Sequence, residues 1–488
     1  MTLSLGGPAG HLWDWPGRVL CNAIGRSTVA CHMRVVCCRY AQQQLGRAVP
    51  DDRRCVSLAS CGDPGTDSLS DGQVHAATVG LVTYSGGDTS FVGKAFSERL
   101  EKRPWKQAPR VASLFSGCGG LDLPFHRAGY EVVYANEHNS DAASTFSANI
   151  SPTVDVVDVR PIEDVSIRDV DRKVGPVDLV TGGFPCQDFS IIWKRPGLTG
   201  SRGNLYTYFL EFVATLKPKA FIAENVKGLL SIHEGRAISQ IVADFQAIEP
   251  GYVVFPKLYN FADHGVPQYR ERVLLVGIRS DLGFNFVHPG SSFGPDREYK
   301  YVTAGEALEG LDDSYPNMEH MRIKDRTKQI IASIPAGGNF ADIDEDDPLY
   351  VRGMISHVYR RIHPDQPSKT LIAGGGGGTW GYHWPENRAL TNRERARIQG
   401  FPDDFVFEGS FGEGRRQIGN AVPPVGMIDL VNRLNPLFGG DYERVDLAVV
   451  QAFLDSLPLK ERLKLASSHD EVDWAEMAES LQERQTAA

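Results

Sequence analysis

Between Arg110 and about residue 285, short β-rich apolar runs alternate with amphipathic stretches, and nothing else in the 488-residue chain limits its fold so tightly. The runs are "RVASLF", "EVVYANE", "VDLVTGG", "AFIAENV" and "RVLLVGI". Between them lie stretches such as "LDLPFHRAG" and "LYTYFLEFVATLK", apolar near i, i+3 and i+4. Strands alternating with helices imply an α/β domain with a parallel, doubly wound sheet. The C-terminal ends of such strands share one edge, where ligands bind.

Outside that region the texture changes. From about 290 to 387 Gly, Pro, Asp and His are frequent, and "AGGGGGTWGYH" (Ala373 to His383) fits no regular element, so a second, smaller, loop-rich domain is expected. "ALTNRERARIQGF" reads as a helix capped by Thr391, with Glu394 three residues on completing a capping box. "RRQIGNAVPPVGMIDLVNRL" returns the chain to ordered helix, which gives a first domain of 110–285 plus 388–435. Residues 441–488 read as an acidic amphipathic helix interrupted at Pro458. Their 11 acidic and 5 basic residues supply more than half of the net charge of -10.

Residues 1 to about 105 show no sustained period, and "LASCGDPGTDSLSDG" is typical of their texture. This segment is expected to be disordered, or to be translated upstream DNA from a start placed too early. Six of the eight cysteines fall there (Cys21, Cys31, Cys37, Cys38, Cys55 and Cys61), at spacings that fit no zinc site. No apolar run reaches 18 residues and no signal peptide is evident, so a cytoplasmic protein is expected. The acidic balance gives no global footprint for nucleic acid, although a local basic cleft is compatible with it.

Three strand ends carry groups suited to a ligand. "SLFSGCGGLD" places Gly117 and Gly119 in a strand-to-helix turn, where backbone can approach a ligand closely. "VVYANE" ends in Glu137, suited to ribose hydroxyls, and "VVDV" offers Asp158 near where an adenine edge would lie. Phe115 is placed to stack on such a cofactor. No phosphate-loop lysine follows, and the glycines do not read G-x-G-x-x-G. An adenosine cofactor without a pyrophosphate fits better, and S-adenosylmethionine is the candidate. Cys186 in "GGFPCQ" and Glu224 in "AENV" also end predicted strands. A thiol nucleophile beside a carboxylic acid suits attack on an electron-poor ring carbon, with the acid protonating a ring nitrogen.

Taken in order, "SLFSGCGGLD", "ANE", "GGFPCQDFS", "SRGNL", "ENV", "HGVPQYRERV", "RALTNRERARIQGFP" and "RRQIGNAVPP" make the chain resemble the bacterial DNA (cytosine-5)-methyltransferases of restriction–modification systems. The resemblance spans roughly residues 111–434. It implies a Rossmann-like S-adenosylmethionine-dependent methyltransferase domain with a smaller target-recognition domain at 290–387. It also implies a flipped cytosine, attacked at carbon 6 by Cys186, bound at ring nitrogen 3 by Glu224 and methylated at carbon 5.

Carried over residue by residue, Arg272 contacts the base carbonyl with Arg270 beside it. Phe115, Gly117, Gly119, Glu137, Asp158, Pro185, Leu205, Asn420 and Val422 hold the cofactor. Lys194, Arg195 and Arg202 in "SIIWKRPGLTGSRGN" meet phosphates, and Gln268 also lies at the DNA. Base edges are expected to be read by Arg360, Arg361, Thr379, Tyr382 and His383. No metal is implied. Many relatives carry an aromatic residue where His138 stands, and some carry Asp where Ser113 stands. The expected partner is double-stranded DNA, met by a monomer that acts apart from a cognate restriction endonuclease. Two rival readings remain at this point: an RNA (tRNA) cytosine-5-methyltransferase on the same fold, and a silent DNA-binding protein. The second predicts loss of the nucleophile or the acid, and both are present.

Overall fold

The computed structural model describes residues 88, 90–151, 156–185, 205–350, 358–374, 381–467 and 470–486. Its centre is a seven-stranded sheet in the order β3-β2-β1-β4-β5-β8-β6. The strands are β1 (Arg110–Leu114), β2 (Glu131–Asn136), β3 (Val157–Asp158), β4 (Leu179–Gly182), β5 (Ala220–Val226), β6 (Tyr252–Asn260) and β8 (Glu271–Arg279). A separate parallel pair joins β7 (Gln268–Tyr269) to β9 (Ser368–Lys369).

β1 to β5 are parallel, as the alternating pattern requires. β8 departs from the expected parallel sheet: it runs antiparallel to both β5 and β6. The cause is connection length. Only residues 261–270 separate β6 from β8, too few for the crossover that a parallel pair needs.

Successive residues of each strand feed opposite faces. Val111 lies in one apolar cluster, while Ala112 and Leu114 lie in the other; Ile222 and Phe221 divide in the same way. Helix Leu205–Leu216 covers the second face through Phe209, Phe212 and Val213. Phe221 stacks on Phe245 of helix Arg236–Gln246, with ring centroids 4.3 Å apart.

One boundary differs from the sequence expectation. The stretch read as structureless up to 105 contains helix Phe91–Glu98, capped by the Ser90 side chain and burying Val92 and Phe96 in the first cluster. Arg99 then pairs with Asp429 at 2.9 Å. So short a helix is held by packing its apolar face on the core rather than by its own hydrogen bonds. The acidic C-terminal region packs against the same core. Helices Leu447–Ser456 and Leu459–Ala466, broken at Pro458, bury Leu447, Val450 and Leu454, and the Ser467 hydroxyl accepts from the Leu258 amide at 3.0 Å. They cover β6, the edge strand, which would otherwise expose unpaired backbone.

Residues 290–387 hold little regular structure: helices Ala304–Leu308 and Asp325–Ala332, strand β9 and small apolar clusters around Ile362 and Ile330. Helix Asn392–Ile398 runs beneath them. Its Thr391–Glu394 capping box forms as read from the sequence.

Candidate active site

β1 and β4 are neighbours, but the chain leaves β1 towards β2 and returns to β4 later. The crevice at their C-terminal ends is the switch point at which ligands bind in such sheets. A cavity of about 580 Å³ opens there. Phe115, Gly117, Glu137, Pro185, Glu224 and Arg272 are among its walls, as are Asn420 and Val422.

One side of the cavity is built by backbone. Phe115 (φ 52) and Gly117 (φ 54) both take left-handed conformations, so the chain turns sharply off β1. The Gly117 amide donates to Glu137 Oε2 at 2.9 Å, and the Asn139 amide donates to Oε1 at 2.8 Å. A carboxylate has about four acceptor positions, so two are left for hydroxyls. A Cβ added at Gly117 would meet nothing within 4 Å and would stand in the cavity itself. These features fit a nucleoside.

Asp122 ties the floor together. Ser113 and Thr181 are register partners on β1 and β4. Both hydroxyls donate to the buried Asp122 carboxylate, at 2.8 and 2.7 Å. Serine at 113 thus serves as a donor to this acid.

The opposite side of the cavity joins β4, β5 and β8. Arg272 Nε donates to Glu224 Oε1 at 2.9 Å. Burial pushes the Glu224 carboxyl above its usual range, while the Arg272 and Arg270 charges pull the other way. Asn225, beside it, donates to the Phe184 carbonyl at 2.9 Å and so fixes the chain two residues before Cys186. Sequence reasoning passed over Asn225, although it is the middle residue of "ENV". Cys118 lies in the same wall, but burial pushes its thiol up to about 12, which leaves it protonated and a poor nucleophile near neutral pH.

Several expected site residues lie elsewhere. Gly119 sits in the turn but faces Ile150, where a Cβ would come within 2.1 Å. Asp158 pairs with Arg160 at 2.6 Å, and Leu205 begins its helix against the second cluster; neither lines the cavity. Arg270 is buried behind the cavity wall, where it donates to the carbonyls of Gly419 (2.8 Å), which lines the cavity, and Leu371 (3.4 Å). Gln268 is fully buried.

Three of the expected base readers also turn inward. Arg361 is buried and donates to the carbonyls of His383, Ile331 and Ile334; Tyr382 is fully buried and His383 nearly so. Arg361 braces this loop-rich region from within, because a buried guanidinium needs carbonyl partners. Arg360 is partly exposed. Cys186, Lys194, Arg195, Arg202 and Thr379 lie outside the described residues.

Comparison with known proteins settles the family. The description "C-5 cytosine-specific DNA methylase" matches residues 109–434. The chain belongs to that family. It is 55% identical over 342 residues to the type II methyltransferase M.NgoFVII of Neisseria gonorrhoeae, covering 70% of this chain and 90% of that protein. It is 42% identical over 333 residues to the type II methyltransferase M.BbvI of Brevibacillus brevis, covering 65% and 88%. A crystal structure of a prophage-encoded E. coli DNA modification methyltransferase shares the fold, with a TM-score of 0.54 and 23% identity over 68% of this chain and 99% of that one. The chain is therefore a DNA (cytosine-5-)-methyltransferase, of a family that uses S-adenosylmethionine. Among the described residues no helix is long and apolar enough to cross a membrane.

In this methyltransferase Gly183 makes room for the acid: a Cβ there would lie 2.8 Å from Glu224 Oε2. Gly183→Ala should displace the carboxylate and lower the single-turnover rate by about 10²-fold, the scale of a misplacement near 1 Å. Circular dichroism and melting should change little, and an unaltered rate would show that Glu224 tolerates the shift.

Asp122 predicts a pH dependence of stability. Burial raises its carboxyl from 3.8 to about 6, with the two hydroxyl donors opposing. The folded protein thus binds this proton more tightly than the unfolded chain. The resulting stability is fully present below about 3.8 and is lost as pH rises through about 6. Asp122→Asn should flatten the melting temperature across that window by a few degrees, corresponding to about 3 kcal/mol at most. An unchanged slope in scanning calorimetry would remove Asp122 as its source.

Proposed function

We propose that this enzyme methylates carbon 5 of a flipped cytosine within a specific double-stranded DNA sequence, through a covalent adduct with Cys186. The observation that carries the reading is the meeting, in one cavity, of the Glu224–Arg272 pair and Pro185, next to Cys186 in the chain, with the Glu137 nucleoside cradle.

S-adenosylmethionine supplies, when bound, an electrophilic methyl group. Phe115, Gly117, Glu137, Asn420 and Val422 would hold it. The Cys186 thiolate attacks carbon 6 of the cytosine and forms a carbon–sulfur bond. Glu224, whose carboxyl burial pushes above its usual range, gives a proton to ring nitrogen 3, so the ring electrons collect at carbon 5 as an enamine rather than a bare carbanion. Arg272 orients Glu224 and would contact the base carbonyl. Carbon 5 accepts the methyl group. Loss of the carbon 5 proton to a base then expels the thiolate, and ring nitrogen 3 returns its proton to Glu224, leaving 5-methylcytosine.

Flipping exposes carbon 6 to a nucleophile that cannot reach it inside the base stack. Lys194, Arg195 and Arg202 would hold phosphates. Arg360 and the glycine-rich stretch through Thr379 would read bases, supported from beneath by Arg361, Tyr382 and His383. The enzyme would act in the cytoplasm as a monomer, marking host DNA against a separately acting endonuclease.

Expression in a host lacking cytosine methylation, followed by bisulfite sequencing of plasmid DNA and total tRNA, tests this. The expected result is one short methylated DNA motif with tRNA unmodified. Methylation of tRNA alone would overturn the DNA reading.

A further inference from the structure

Two fully buried glutamines, Gln268 and Gln399, form a continuous chain of amides. The Leu371 amide donates to Gln268 Oε1 at 3.1 Å. Gln268 Nε2 donates to Gln399 Oε1 at 2.7 Å. Gln399 Nε2 donates to the Ala421 carbonyl at 2.5 Å. The ends fix the direction: Leu371 N–H requires an oxygen and the Ala421 carbonyl requires an N–H, so the middle contact must run from Gln268 to Gln399.

The two ends belong to different parts of the site. Leu371 opens the stretch that leads into the glycine-rich loop, whereas Ala421 lines the cavity between Asn420 and Val422. The same junction is close-packed elsewhere. A Cβ on Gly419 would fall 2.5 Å from the Ala373 backbone, and Arg270 donates to both Gly419 and Leu371.

We propose that Gln268 and Gln399 are positioning residues that transmit DNA engagement after Leu371 to the cofactor wall at Ala421, so that DNA tightens cofactor binding. This rests on the functional reading above. Moving either end leaves a buried amide without its partner, so the two segments shift together. Because binding linkage is reciprocal, cofactor equally tightens DNA binding.

The test is the Kd for S-adenosylhomocysteine, measured by calorimetry on the full chain with and without a duplex carrying the site mapped from its own product. DNA should lower this Kd by about tenfold in the unaltered enzyme. In Gln268→Met and in Gln399→Met the effect of DNA should shrink to within about twofold, while the DNA-free Kd moves less than the DNA-bound one. The links are in series, so the double variant should lose no more coupling than either single one. Melting curves establish folding, and Gln268→Glu, which keeps the acceptor for Leu371 but loses the donor to Gln399, replaces Gln268→Met if that variant does not fold. An unaltered enzyme with no DNA effect, or single losses that multiply in the double variant, would overturn the proposal. Failure of the unaltered enzyme to methylate any DNA would overturn the functional reading instead.

Discussion

Cys186→Ser should lower methyl transfer by roughly 10⁴-fold or more, the scale on which loss of a covalent nucleophile acts in other enzymes. A serine hydroxyl is almost wholly protonated near neutral pH and attacks an unsaturated carbon far more slowly than a thiolate. Cofactor binding should survive, because Glu137, Gly117 and Asn420 are untouched. Cys118 cannot stand in, since burial holds its thiol protonated and its sulfur faces the Gln417 carbonyl at 3.8 Å. Cys118→Ala should therefore keep transfer. Tritium transfer to DNA measures both variants, and near-normal turnover by Cys186→Ser would remove Cys186 from the mechanism.

Glu224→Gln should lower the rate at saturating DNA by about 10²–10⁴-fold, the usual worth of a positioned general acid. The glutamine amide can still meet the base but has no acidic proton to give to ring nitrogen 3. A pH profile adds a second check. Burial raises the Glu224 carboxyl, so its acid form persists above the usual carboxylate range, and transfer should fall as pH rises through the raised value. That alkaline limb should vanish in the glutamine variant. A limb that persists there would assign the titration to another group. Loss of Glu224 should slow every methylated site alike, since all share the cytosine.

The sequence made the sheet edge readable because strands and helices leave different periods, and because Glu137 and Glu224 stand at the ends of apolar runs where a carboxylate has no core to enter. The direction of β8 was hidden, since "RVLLVGI" is apolar whichever way it runs; the short connection 261–270 was the available sign. Helix Phe91–Glu98 also had a sign, with Ser90 as cap and Val92 and Phe96 four residues apart. Arg361, Tyr382, Gln268 and Arg270 could not be placed from residue type. An arginine that holds five backbone carbonyls and one that holds a phosphate look alike until the chain segments that supply those carbonyls have been brought together.

The covalent step itself is tested most directly with DNA in which 5-fluorocytosine replaces cytosine. Release of the product needs removal of a proton from carbon 5, and fluorine cannot leave as a proton does. With S-adenosylmethionine present, the enzyme should become permanently attached to the DNA. Peptide mass spectrometry should place the modified base on Cys186. The adduct should be absent from Cys186→Ser. Methylation of ordinary DNA combined with no trapped adduct, or an adduct on Cys118, would contradict the account.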